Sequence, residues 1–283
     1  MPRSQGPVTG FLKKILFRPA IKHPRLQRLW GRLHTLSVFA MNYGGGAFVE
    51  SSGEVWVLSK VVRQACLAVA SPVIFDVGAN VGDYSALVRE LIPSARIYAF
   101  EPAAPVYEQL VGRLSTFGNA DTFRSFNFGF SDEEKTVDLY SYTVEGHTAS
   151  VISSIDRRLP TQVLQVEVSN TEQIAVRTLD SFCASQGVDR IDFLKLDVEG
   201  HELAVLRGAR GMLQRGAISM IQFEFGPANI YSRTYFYDFW SMLSDHYDLF
   251  RIVPGGMVHI TDYGEHLEVF LTTNYFARFK HGS

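Results

Sequence analysis

The stretch Asp76-Val77-Gly78-Ala79-Asn80-Val81-Gly82-Asp83-Tyr84 constrains this chain more than any other. It extends a short apolar run, VIFDV, and leads into a helical pattern over Tyr84–Leu91. A strand that turns on glycine into a helix is the nucleotide- or nucleoside-binding corner of a doubly wound α/β sheet. Gly78 permits the turn, because a residue without Cβ reaches backbone conformations closed to others. The next apolar run, RIYAFE, ends at Glu101, 25 positions after Asp76. An acid roughly 20 residues beyond such a turn, closing the second strand, accepts hydrogen bonds from ribose hydroxyls. Turn and acid at this spacing predict a nucleoside ligand; a tight turn with a capping acid is the plain alternative.

Asn80 narrows the ligand. It stands where the dinucleotide pattern has its second glycine, the residue that lets backbone press against a pyrophosphate. A side chain there suits a phosphate-free ligand such as S-adenosylmethionine. Asp76 can accept from that ligand's ammonium, directly or through water. The helix start beyond Gly82 offers amide donors to its carboxylate. Asp76, Gly78, Asn80, Gly82, Tyr84 and Glu101 are therefore the expected cofactor corner. A third strand ends at Asn127-Phe128-Gly129-Phe130-Ser131. There Asn127 and Ser131 either meet the adenine or merely open a loop.

The chemistry is expected one strand further on, in Ile191-Asp192-Phe193-Leu194-Lys195-Leu196-Asp197-Val198-Glu199-Gly200-His201. Alternation along a strand puts Lys195, Asp197 and Glu199 on one side. A lysine in an apolar parallel strand is costly unless paired, and Asp197 is the nearest candidate. The following run, AISMIQFEF, brings Glu224 to the same rim, where doubly wound sheets bind their ligands. Several carboxylates there could position hydroxyls and take a proton, and crowding would raise one pKa toward a useful range. His201, opening a helix, is an alternative base. Asp197, Glu199 and His201 could also ligate a divalent ion, but the pattern is weak and no metal is expected. His147, in a polar insertion between 135 and 178, is either a lid residue or an exposed loop histidine.

The 283 residues suit one large α/β domain with an extra segment. Apolar runs alternate with helical stretches from Pro72 on, which predicts βαβ units. LFRIVP and LEVFLTT have no helix between them and should pair antiparallel. Residues 1–70 form a helical segment apart from a domain over 71–283. Arg3, Lys13, Lys14, Arg18, Lys22, Arg25, Arg28 and Arg32 precede the first acid, Glu50. That basic arm could contact anionic lipid through residues 1–40, pack on the domain, or meet a second copy as a homodimer. The acidic remainder argues against nucleic acid. No run reaches the ~18 apolar residues that cross a bilayer. Neither a signal peptide nor a disulfide framework is read from the start of the chain or from Cys66 and Cys183. A reducing cytoplasm is the expected setting, with the inner membrane surface within the arm's reach.

FDVGANVGDYS at 75–85, FEP at 100–102, NFGFSD at 127–132, RTLDSF at 177–182, IDFLKLDVEGHELAVLRGA at 191–209, IQFEF at 221–225 and NYFAR at 274–278 together resemble the FkbM family of methyltransferases. The resemblance spans roughly residues 43–278. It implies a class I methyltransferase (Rossmann-like) doubly wound sheet, mostly parallel with an antiparallel C-terminal strand, beside a helical N-terminal segment. It implies S-adenosylmethionine as donor and O-methylation of hydroxyls in polyketides, sugars or glycans; a glycan or glycolipid acceptor is the reading preferred here. It also places Asp76, Gly78, Asn80, Gly82 and Glu101 at the cofactor and Asp197, Glu199 and Glu224 on an acidic rim. An NAD(P)-dependent oxidoreductase is opposed by Asn80 and by the absence of a Tyr-x-x-x-Lys pair. A non-catalytic module on a degenerate fold is opposed by the intact Asp76, Glu101 and Asp197.

Overall fold

The computed structural model describes residues 21–46, 49–115, 121–143, 151–155 and 167–280. The chain divides into two compact units, residues 1–43 and 44–283. In the first, a helix spans Pro24–Ala40, with Pro24 in the first turn, where its fixed φ suits a helix start.

The second unit is built on strands β1 (Val73–Val77), β2 (Arg96–Phe100), β3 (Phe123–Phe126), β4 (Gly129–Phe130), β5 (Lys135–Thr143), β6 (Val151–Ser154), β7 (Glu167–Arg177), β8 (Phe193–Leu196), β9 (Met220–Phe225), β10 (Tyr247–Val253), β11 (Gly256–Ile260) and β12 (Thr273–Phe279). Eight of them form one sheet in the order β11-β10-β12-β9-β8-β1-β2-β3. β3, β2, β1, β8 and β9 run parallel, and β12 lies antiparallel between β9 and β10. The order reverses between β1 and β8, which is where such sheets open a ligand crevice. Both faces are covered, so β1 is buried along its whole length and reads VIFDV rather than alternating. Val73, Phe75 and Val77 enter one core cluster and Ile74 the other, as the two-residue period of a strand requires.

Three expectations are revised. The helical residues from Glu54 to Cys66 bury Val57, Leu58, Val62 and Cys66 against Ile74, Tyr84, Val88 and Phe193. They belong to the sheet's core, so the unit boundary falls at Tyr43 rather than near residue 70. The final strand begins at Thr273, later than LEVFLTT suggested. Glu268 accounts for the shift: its carboxylate accepts the Phe236 and Tyr237 amides at 2.8 and 3.0 Å and the Tyr263 hydroxyl at 2.7 Å, which draws that segment out to cap the helix Phe236–Leu243. β11 was not anticipated; Pro254-Gly255 close a hairpin that pairs it with β10. The polar segment after β3 does form added strands, a separate sheet in the order β4-β7-β5-β6. Cys66 and Cys183 are free and buried, and burial pushes both thiols up to about 12.

Under the ligand edge lies an aromatic cluster centred on Phe182, which is fully buried. Its ring meets Phe126 at 5.0 Å, Phe100 at 5.1 Å, and Phe128 and Phe130 at 5.6 Å. Phe182→Ala should lower the unfolding free energy by about 3–5 kcal/mol, the usual cost of emptying a packed aromatic site. Urea unfolding measures it, and a loss under about 1 kcal/mol would show that the cluster collapses into the gap.

Candidate active site

A cleft of about 800 Å3, open to solvent, lies over the carboxyl ends of β1, β2 and β8. Gly78, Asn80, Glu101, Asp197, Glu199 and His201 all line it. Phe100, Phe128 and Phe130 form one apolar wall, and Leu139 and Ile174 of the second sheet, with Ile155 just after β6, form another. Six of the expected site residues are thus brought to one place.

The turn after β1 takes three left-handed residues: Gly78 (φ 81°), Asn80 (φ 48°) and Gly82 (φ 88°). Asparagine tolerates that conformation better than other side chains, and Asn80 Oδ1 accepts the Val81 amide at 2.8 Å. A Cβ on Gly78 would stand 1.8 Å from the Asp197 carbonyl oxygen. Gly78 is therefore required by the turn after β8, which abuts it. A Cβ on Gly82 would meet Leu110 at 2.7 Å, so Gly82 serves the packing of the helix Ala104–Leu114 and does not line the cleft.

Glu101 closes β2 as expected, and its carboxylate has a second duty. One oxygen accepts the Asn80 amide and the other the Ala103 amide, both at 2.9 Å. The acid thus sews the glycine turn to its own strand, and each oxygen keeps a second lone pair for a ligand hydroxyl. Burial pushes its carboxyl up to about 7 against those two donors.

Asp76 lies on the opposite face of β1 from the aromatic wall. It is fully buried, with Oδ2 accepting from Ser85 Oγ at 2.6 Å and Oδ1 without a partner. Across the sheet it is in register with Lys195 of β8, and Lys195 with Gln222 of β9. Lys195 is 5% exposed, which makes an unpaired ammonium untenable. Its Nζ reaches Asp197 Oδ2 at 2.9 Å and lies 4.8 Å from the centre of the Tyr84 ring. Tyr84 is therefore a support beneath Lys195, outside the cleft lining. Glu54 adds a charge that sequence spacing did not reveal. Its carboxylate accepts from Gln222 Nε2 at 2.5 Å and Ser52 Oγ at 2.9 Å, and Lys195 draws its carboxyl down against the dominant upward push of burial. The available signal was an acid heading an otherwise apolar helix, and a glutamine within the apolar run IQFEF.

Beyond β8 the chain turns through Glu199 (φ 51°) and Gly200 (φ 93°). Glu202, also unforeseen, holds that turn: Oε1 accepts the Val198 amide at 3.0 Å and the Gly200 amide at 3.2 Å. Burial, then Asp197 and Glu202, raise the Glu199 carboxyl to about 8, and burial raises Glu202 to about 7. Glu224 is pushed well above the carboxylate range by burial and by Asp197, Glu199 and Glu202. It stands outside the cleft lining. His201 Nε2 pairs with Ser131 Oγ at 3.0 Å, and burial lowers the imidazole below its ordinary range. Ser131 is held there and by Asp132, and the Asn127 amide donates to the Glu101 and Pro102 carbonyls. Neither Asn127 nor Ser131 lines the cleft. Among the described residues no group of His, Cys, Asp or Glu is arranged to hold a metal ion. His147 lies outside the described residues.

Sheet order, glycine turn and strand-end acids define the methyltransferase class of doubly wound folds. The chain belongs to the FkbM methyltransferase family: the pattern described as the methyltransferase FkbM domain matches residues 76–251. It is 29% identical over 165 residues to the 2-O-methyltransferase NoeI of Sinorhizobium fredii (strain NBRC 101917 / NGR234), covering 55% of this chain and 65% of that one. It is 28% identical over 175 residues to the methyltransferase sdnD of Sordaria araneosa, covering 54% and 68%. The AMB antimetabolite synthetase AmbE of Pseudomonas aeruginosa is 27% identical over 180 residues, 55% of this chain and 8% of that much longer one. This chain thus spans a small part of AmbE and about two thirds of the other two. The oxidoreductase alternative falls with the family assignment.

Glu101, Glu199 and Glu202 keep protons in the folded protein where an unfolded chain, near 4.5, has lost them. The folded state then binds more protons between about pH 5 and 8, so stability should fall as pH rises across that window. Urea midpoints taken along the window check this; a midpoint that climbs toward pH 8 contradicts it.

Proposed function

We propose that this chain is an S-adenosylmethionine-dependent O-methyltransferase acting on a hydroxyl of a polyhydroxylated acceptor, a sugar or glycan. One observation carries the reading: the glycine turn, Glu101 and the carboxylates Asp197 and Glu199 converge on a single cleft. An adenosyl ligand fits these residues. Glu101 has lone pairs left for ribose hydroxyls, whereas Asp76, fully buried, stands beneath the cleft and does not line it. Phe100, Phe128 and Phe130 supply an apolar wall for a base.

S-adenosylmethionine, when bound, supplies an electrophilic methyl group on a sulfonium. The chain's part is to hold the acceptor oxygen in line and to take its proton. Asp197 is fixed by Lys195 and positions the acceptor. Glu199, on the cleft wall with its carboxyl near 8, takes the proton. Two carboxylates at one edge suit an acceptor that presents several hydroxyls, and the relative NoeI is a 2-O-methyltransferase.

Calorimetry with S-adenosylhomocysteine should show binding, with none of NADH; the reverse would end this reading. Glu101→Gln should weaken that binding about tenfold through loss of charge-assisted hydrogen bonds. Turnover on a responsive member of a glycan panel should rise as pH passes about 8, because the proton acceptor must be ionised. Glu199→Gln should abolish that rise and lower kcat by about 100-fold or more. Asp197→Asn should lower kcat while sparing S-adenosylhomocysteine binding. An unchanged pH profile in the Glu199 variant would remove that residue from the chemistry.

A further inference from the structure

The helix Pro24–Ala40, in the first unit, has a surface organisation of its own. Leu26, Leu29, Leu33 and Leu36 follow one another at spacings of three and four, which sets them on one helical face. Leu29 is 50% exposed, Leu33 44% and Leu36 63%. A soluble helix usually turns such a stripe inward. Arg25, Arg28 and Arg32 repeat the same spacing and form a second strip beside it, also exposed. The helix carries no acid, and none occurs before Glu50, while Lys22 and four further basic residues precede the helix.

Apolar stripe and basic strip together select the occupant. A second copy of the same helix would cover the leucines but set arginines against arginines. A partner protein would need an apolar groove bordered by acids. An anionic lipid surface offers both parts at once: acyl chains for the leucines and phosphates for the arginines. No described helix is long and apolar enough to cross a membrane, so the contact would lie in the plane of the surface. We propose that the helix Pro24–Ala40 docks the chain on anionic lipid, leucines down and arginines at the headgroups.

The test is sedimentation of the full chain with vesicles of phosphatidylcholine alone, and of phosphatidylcholine mixed with phosphatidylglycerol. The chain should pellet with the mixed vesicles and remain in solution with the neutral ones. Added salt should release it, because headgroup attraction is screened. Arg28→Gln with Arg32→Gln should weaken binding about 25-fold, at about fivefold per charge. Leu29→Glu with Leu33→Glu, at exposed positions, should remove it while leaving the circular dichroism spectrum unchanged. Equal sedimentation with both vesicle types, or binding indifferent to both pairs of substitutions, overturns the proposal. So does a leucine-pair variant that converts a dimer to a monomer in ultracentrifugation when the chain shows no preference for anionic vesicles; the leucines would then cover a second copy. None of these outcomes depends on methyl transfer.

Discussion

A buried ammonium dictates the arrangement of this active edge. Lys195 sits in the middle strand of an eight-stranded sheet at 5% exposure, and a charge so placed must be surrounded by acceptors or be lost. Asp197 supplies the contact at 2.9 Å, while Asp76 and Glu54 add to the field that keeps the proton on. Because Asp76, Lys195 and Gln222 lie in one row across β1, β8 and β9, each partner is fixed by strand register as well as by its own hydrogen bonds. The carboxylate that faces the cleft is therefore oriented from beneath, by a buried cation.

The two faces of the sheet divide the labour. On one, aromatic rings pack around Phe182 and rise into the cleft wall. On the other, a polar seam runs from Ser85 and Asp76 through Lys195 and Tyr84 to Gln222 and Glu54. Strand alternation produces this split, since residues of one parity share a face. The ligand edge lies where the two meet, so the same few residues adjoin an apolar surface and a dense set of charges. Crowded acids then hold protons well above the ordinary range.

Much of this was legible in the sequence because it is local. The glycine turn, Glu101 and the pairing of Lys195 with Asp197 each depend on neighbours within a strand and its loop. What escaped depends on distance. Glu54 and Gln222 meet across 168 positions, and no periodicity links them. Gly82 was read as ligand-facing, yet it answers to Leu110, and Gly78, which does line the cleft, answers to Asp197 as well; only the folded arrangement brings these near. Asn127 and Tyr84 share the right corner of the chain but spend their polar groups on the protein itself. The acidic turn was legible as composition, while Glu202 and its two amides emerged only with the backbone path. The last strand was misplaced because Glu268 caps a helix 32 residues upstream.

The second sheet contributes Leu139 and Ile174 to the cleft while its four strands pair only with one another. Its length, twist and loops are thus uncoupled from the ladder that secures Lys195. Changes there can reshape one wall of the cleft without disturbing the charged row below. An architecture of this kind lets one wall of the cleft drift among descendants while the charged row stays put.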